Sequence, residues 1–241
     1  MYVLRSLMLS TLYQLRVFFR IKEAIFYGLI FPVFIFVLFG FLWGDGGRDI
    51  DYIYLILTGI IGTTVLGDGL FAVGGIIREF YASKFIKYAK KHPHGYMHFA
   101  GLVLVRVVVL STVIIILNVV GQLLFGLPIS ASSLFFQFVG SLIGMFLFSA
   151  LGLCISFGSI KSQGQASFNN VFYFLVIFTS SAYYPIEAFN ESLATVGKWL
   201  PLEPILSVYR QEPVDYIMLI SWLTLGVVGF YFLFNRFQVV R

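Results

Sequence analysis

All three histidines of this chain, His92, His94 and His98, fall in one stretch, REFYASKFIKYAKKHPHGYMHF (78–99), and imidazoles this close together invite a metal reading. The spacing argues against it. Pro93 and Gly95 interrupt any regular i, i+4 ligand pair, and after Glu79 the stretch offers no acid or cysteine to complete a set. No metal ligand is assigned. The single Cys154 lies in an apolar run and excludes a disulfide framework. No GxxxxGK[ST] loop, GxSxG elbow or H-E-x-x-H pair occurs, so the chain is expected to be no enzyme and to hold no cofactor of its own. Two ionisable residues stand out, because Asp68 and Arg106 sit inside long apolar runs, where a charge is costly and is usually paired or functional. They could form an ion pair stapling two helices, or a gate or polar lining of a path; both readings are open. Asn118 and Asn169 are weaker candidates of the same kind.

The elements that must position these groups are membrane helices. The chain has 241 residues, 59% of them apolar and 11% charged, against about 25% charged in an ordinary soluble domain. Six runs approach the roughly 20 apolar residues that a crossing helix needs, at about 25–43, 52–77, 99–125, 134–157, 167–184 and 214–234. Their length and lack of alternation favour helices over strands. The first is expected to be retained, since GDGGRDID follows it rather than a cleavage site. One all-α transmembrane domain over residues 1–241 is predicted, with both termini cytoplasmic. That orientation leaves only Arg48, Lys198 and Arg210 of the sixteen Lys and Arg outside. The net charge of +5 is thereby read as topology, with no nucleic-acid partner.

Three segments are not spans. Residues 3–22 place Leu4, Met8, Leu12, Leu15 and Phe19 on one stripe beside Arg5, Arg16 and Arg20, the pattern of a helix lying in the interface. Leu7, Val17 and Phe18 leave its opposite face open to packing on protein, and the alternative is a loose positively charged leader that sets topology. Residues 79–91 align Tyr81, Phe85 and Tyr88 opposite Lys84, Lys87, Lys90 and Lys91, a short cytoplasmic helix whose aromatics either float in headgroups or dock on a partner. Residues 185–213 are apolar yet broken by proline, and are read as a pair of short helices dipping back into the outer leaflet. Glycines along the second span, and Gly140 with Gly144 in the fourth, fit either the internal bundle or a dimer seam.

In this order, the pieces resemble the type-2 ABC transporter permeases over the whole chain. Arg78-Glu79 is similar to the family's "RE" at the end of span two, SSAYYPIEAF (180–189) to its turn after span five, and LPLEPI (200–205) with Arg210 to its "NP…R" run. The chain departs from the pattern in having Phe80-Tyr81 where Gly is usual, a longer distance from Glu79 to Pro93, and Glu203 where many members have Asn. These departures leave the cargo subclass and the tip of the coupling segment open. The resemblance implies a permease subunit in the plasma or bacterial inner membrane, working with a second copy or paralogue. Separate ABC ATPase subunits would hold the ATP and magnesium. Coupling would run through Arg78, Glu79, Tyr81, Lys84, Phe85, Lys87 and Tyr88, helped by the N-terminal helix, and Tyr184, Pro185, Glu187 and Pro204 would form the re-entrant turn. Twenty-eight Phe and few intramembrane polar groups point to a lipophilic or amphiphilic cargo such as a drug, peptide or lipid. The alternative is a non-ABC six-span secondary carrier or a membrane assembly factor.

Overall fold

The structure, a computed structural model, describes residues 2–84, 97–158, 162–186 and 191–239. Among them the chain is helical, with no strand. Helix α1 (Tyr2–Arg20) is followed by α2 (Lys22–Trp43), whose Phe26–Ile30 portion is π-helical. Helix α3 runs from Ile50–Gly67 through a second π-helical portion, Asp68–Val73, into Gly74–Ala82. Then come α4 (Met97–Phe125), α5 (Ala131–Gly158), α6 (Ser162–Phe178), the short α7 (Glu191–Lys198) and α8 (Glu203–Arg210), and α9 (Tyr216–Val239). Among the described residues five helices are long and apolar enough to cross a membrane, with a shorter apolar helix at Ala166–Phe178. Multi-pass membrane insertion follows.

Helix α3 is the centre. Ile53, Ile56, Leu57, Ile60, Leu66 and Leu70 are fully or almost fully buried, and α2, α4, α5, α6 and α8 all pack on it. Its start is fixed by Asp49, whose side chain accepts from the Tyr52 amide at 3.1 Å. Small residues then let neighbouring backbones close in. A Cβ added at Gly59 would lie 1.6 Å from the Ala182 carbonyl oxygen, and one at Gly74 would lie 2.6 Å from the Gly152 carbonyl carbon. Gly140 and Gly144 likewise face Tyr209, Val208, Ile205 and Val65 of this same chain, so that pair serves the internal bundle.

The segment before the last helix forms two short helices, as its proline pattern predicts. Helix α8 is wedged between α3 and α5, with Ile205, Leu206 and Tyr209 at 0% exposure. The Tyr209 hydroxyl shares a 3.0 Å hydrogen bond with Ser141 of α5. Pro204 lies in its first turn, where a missing N–H costs nothing. Its end is a Schellman-type turn: Gln211 adopts φ 60° and the Glu212 amide reaches the Ser207 carbonyl at 2.9 Å.

Two sequence expectations need correction. The span expected over 167–184 stops at Phe178. Thr179 and Ser180 turn their hydroxyls back onto the Leu175 and Ile177 carbonyls, and the Ser181 amide donates to the Glu203 carboxylate instead of continuing the helix. The separate helix expected from Glu79 is, at its start, the end of α3: that helix continues to Ala82 and is broken where Lys84 takes φ 60°. Phe85, Lys87 and Tyr88 lie outside the described residues, as does the side chain of Tyr81. Helix α1 uses both of the apolar faces that its sequence offers. Leu4, Met8, Leu12 and Phe19 are exposed as a bilayer-facing stripe would be, while Phe18 on the other face is buried against Val105 and Val109 of α4.

The backbone approach at Gly59 makes a sharp test within one helix. Gly59→Ala should lower stability by about 2 kcal/mol or more through overpacking. Gly67→Ala, whose Cβ would meet only the Tyr173 ring at 3.5 Å, should be neutral or gain up to about 1 kcal/mol of helix propensity. Thermal unfolding of both variants in detergent checks this, and equal midpoints would contradict the packing.

Candidate functional site

Helix α2 carries Phe31, Ile35, Phe39 and Trp43 at intervals of four, which a 3.6-residue repeat turns into one slowly drifting stripe. Opposite stand Phe174, Ile177 and Phe178 of α6, and the turn beyond adds Tyr183, Tyr184 and Pro185. Between them is a cavity of about 820 Å³ whose walls are almost wholly rings and aliphatic chains. Phe39 meets Tyr183 edge-on at 5.4 Å and leans on Trp43 at 4.6 Å. Tyr183 is itself held in place, sharing a 3.1 Å bond with Thr63 through its hydroxyl and accepting from the Tyr52 hydroxyl at its carbonyl. Such a surface favours ligands with large apolar or aromatic bodies.

Towards the N-terminal end of α2 lies a second cavity of about 510 Å³, which shares Phe31, Ile35, Tyr173 and Tyr183 with the first. Its character differs, because Glu23, Thr63, Thr64, Asp68 and Arg106 reach it. Both π-helical portions border it, one supplying Tyr27 and Gly28, the other Asp68 and Phe71. A π-helical turn widens a helix and disturbs its regular bonding, and such turns recur at functional sites.

Asp68 and Arg106 come together across α3 and α4, with a 3.3 Å ion pair and side chains 16% and 17% exposed. The guanidinium also lies 5.8 Å from the Phe18 ring centroid, so α1 is tied to the same arginine. Arg106 Nε is buried without a hydrogen-bond partner among the described residues, so Asp68 engages only part of the cation.

At the other end, a clasp joins α3, the turn after α6, and α8. Arg210 donates from Nε to Thr58 Oγ1 at 3.1 Å and from its two terminal nitrogens to the hydroxyl and carbonyl of Ser181 at 2.7 and 2.8 Å. The Ser181 hydroxyl in turn donates to Glu203 at 2.9 Å. One serine thus bridges a cation and an anion. Burial draws the Arg210 pKa below its ordinary value, and the nearby Glu203 and Glu212 carboxylates pull it back up; a guanidinium so placed stays charged.

Not all the expected gate residues meet at the cavities. Asn118 is buried between α4 and α5, donating to Ile114 and, at 2.7 Å, to Gln137. Gln137 donates to Ser133, and Ser133 shares a bond with the Tyr54 hydroxyl. That chain fastens helices together, and Asn118 lines neither cavity. Asn169 is 1% exposed and donates to the Leu70 carbonyl at 3.3 Å, while its Oδ1 has no hydrogen-bond partner among the described residues. Of the expected coupling residues, Arg78 is 7% exposed, whereas Glu79 and Lys84 are open to the surroundings. Arg5, Arg16 and Arg20 are exposed along α1. Tyr184 and Pro185 line the aromatic cavity, Pro204 is buried in α8, and Glu187 falls outside the described residues.

Sequence reasoning missed the aromatic stripe of α2, the residues Tyr173 and Tyr183, and the roles of Ser181, Glu203 and Glu23. The four-residue spacing from Phe31 to Trp43 was the available signal.

A family model described as ABC-2 type transporter matches residues 5–212, from α1 to the end of the clasp. No individual curated protein matches the chain.

The clasp can be tested by its charges. Arg210→Met strands the partly buried Glu203 carboxylate and should cost about 3 kcal/mol or more. Adding Glu203→Met should recover part of that loss, because no unpaired charge then remains. Unfolding midpoints in detergent read both, and additive losses would show that the two charges are independent.

Proposed function

The chain belongs to the ABC-2 type transporter family, and from that premise we propose that it is the permease of an exporter for lipophilic or amphiphilic molecules, powered by a separate ATPase. A membrane component of an ABC transporter is a conduit and not itself a catalyst. The observation that carries the cargo reading is the aromatic cavity between α2 and α6. A path for sugars or small ions would want polar side chains along its walls, whereas this one offers Phe31, Phe39, Trp43, Phe174 and Phe178.

In this proposal six segments span the membrane, α6 among them, and both termini are cytoplasmic. Helix α1 lies in the interface, and α7 with α8 forms the outer re-entrant cap. The exposed aromatic side of α2 and α6 would face a second permease, a copy or a paralogue, so that the path runs between two chains in the plasma or bacterial inner membrane. ATP and magnesium would be held by the ATPase. That partner would grip residues 79–91 through Tyr81, Phe85 and Tyr88, with Arg78, Glu79, Lys84 and Lys87 around them. Its closure would pull on α3, which runs without a break from Ile50 to Ala82. The pull would then reach Asp68 and the wall of the inner cavity.

Co-purification from the native membrane should bring an ATPase with this chain. Phe85→Asp should leave the chain in the membrane but abolish coupling of ATP hydrolysis to export. Normal export by that variant would sink the coupling assignment, and a chain that consistently purifies without an ATPase would sink the exporter itself.

A further inference from the structure

We propose that the inner cavity is a binding site for the charged end of a lipophilic cation, with the hydrophobic body of the same molecule lying in the aromatic cavity above it. The inference rests on the export reading only in calling that molecule cargo; the site itself stands on the geometry.

Two carboxylates, Glu23 and Asp68, reach the inner cavity against one guanidinium, Arg106. The guanidinium is partly engaged, by its 3.3 Å bond to Asp68 and by the Phe18 ring on α1, so the two carboxylates outnumber it by one charge. What remains for a ligand is a net negative site. Tyr27, Phe71 and Tyr173 line the same space, and the faces of such rings attract cations. An anion would meet two carboxylates against the one guanidinium. At Asp68, only 16% exposed, this difference is magnified, since a charge interacts more strongly where water is scarce.

The two cavities share Phe31, Ile35, Tyr173 and Tyr183. One molecule can therefore occupy both, its cation near the π-helical portions of α2 and α3 and its body among the outer rings. A permanently charged centre with aromatic substituents, or a protonated amine on a hydrophobic frame, has this form. A neutral lipid would fill the outer cavity and leave the carboxylates unused.

Tetraphenylphosphonium and tetraphenylborate make the test, being alike in shape and opposite in charge. Equilibrium dialysis against the full chain in neutral detergent should give saturable phosphonium binding, with the borate at least about tenfold weaker. Glu23→Gln should weaken the phosphonium about tenfold and leave the borate unchanged or stronger. Asp68→Asn should act in the same direction. Because it also breaks the ion pair to Arg106 and could fail to fold, the exposed Glu23 variant decides alone if it must. Borate binding as tight as phosphonium, phosphonium affinity untouched in Glu23→Gln, or purely unsaturable uptake would each overturn the proposal. Cation binding by a chain that never purifies with an ATPase would instead keep the site and remove the exporter.

Discussion

The fold depends on one helix being approachable from nearly every side. Side chains on α3 fill the core, but at Gly59 and Gly74 it is backbone that meets backbone, the turn after α6 on one side and α5 on the other. In lipid the apolar solvent gives little reward for pressing two greasy helices together, so close van der Waals fit and interhelical hydrogen bonds must do the work. Small residues provide the first. Thr58, Thr63 and Tyr54 on the same helix provide the second, through Arg210, Tyr183 and Ser133.

With α2 and α6 both packed on α3, the large aromatic surface falls between them. Helix α2 buries only Pro32, Phe36 and Gly40 along Phe31–Trp43, and its remaining bulk faces outward. The polar pairs are divided by depth. The ion pair and Glu23 stand near the start of α2, and the clasp of Arg210, Ser181 and Glu203 stands at the opposite end. A molecule passing along α2 and α6 would meet charge first, then rings, then the turn that the clasp secures.

The apolar runs were readable because lipid permits so few backbone solutions, and the boundaries at Trp43, Phe125 and Gly158 lie close to the expected ones. That Asp68 and Arg106 could pair was also legible, since two stray charges at similar depth have few other partners, while the sequence leaves their role as staple or gate open. The end of α6 was not. No charge interrupts the run through Ala182, Tyr183 and Tyr184, and the break comes where the Ser181 amide finds a carboxylate that is remote in sequence. Asn118 misled for the opposite reason: an amide in a span reads the same whether it faces a path or, as here, another amide on the next helix. The cavity itself is a tertiary property, because the rings on α6 acquire a role only when α2 is placed across from them.

The π-helical portions carry a further consequence for how these helices show themselves to their surroundings. One residue added to a turn shifts everything beyond it by roughly 100° about the axis. In α2 the side chains before Phe26 and after Ile30 therefore belong to different angular frames, and in α3 the same holds on either side of Asp68–Val73. A helix built this way can turn one flank to the bundle in one leaflet and another flank in the other. Deleting a single residue from either portion would bring the two frames into phase and rotate half of a helix as a rigid rod, a change that no substitution can imitate.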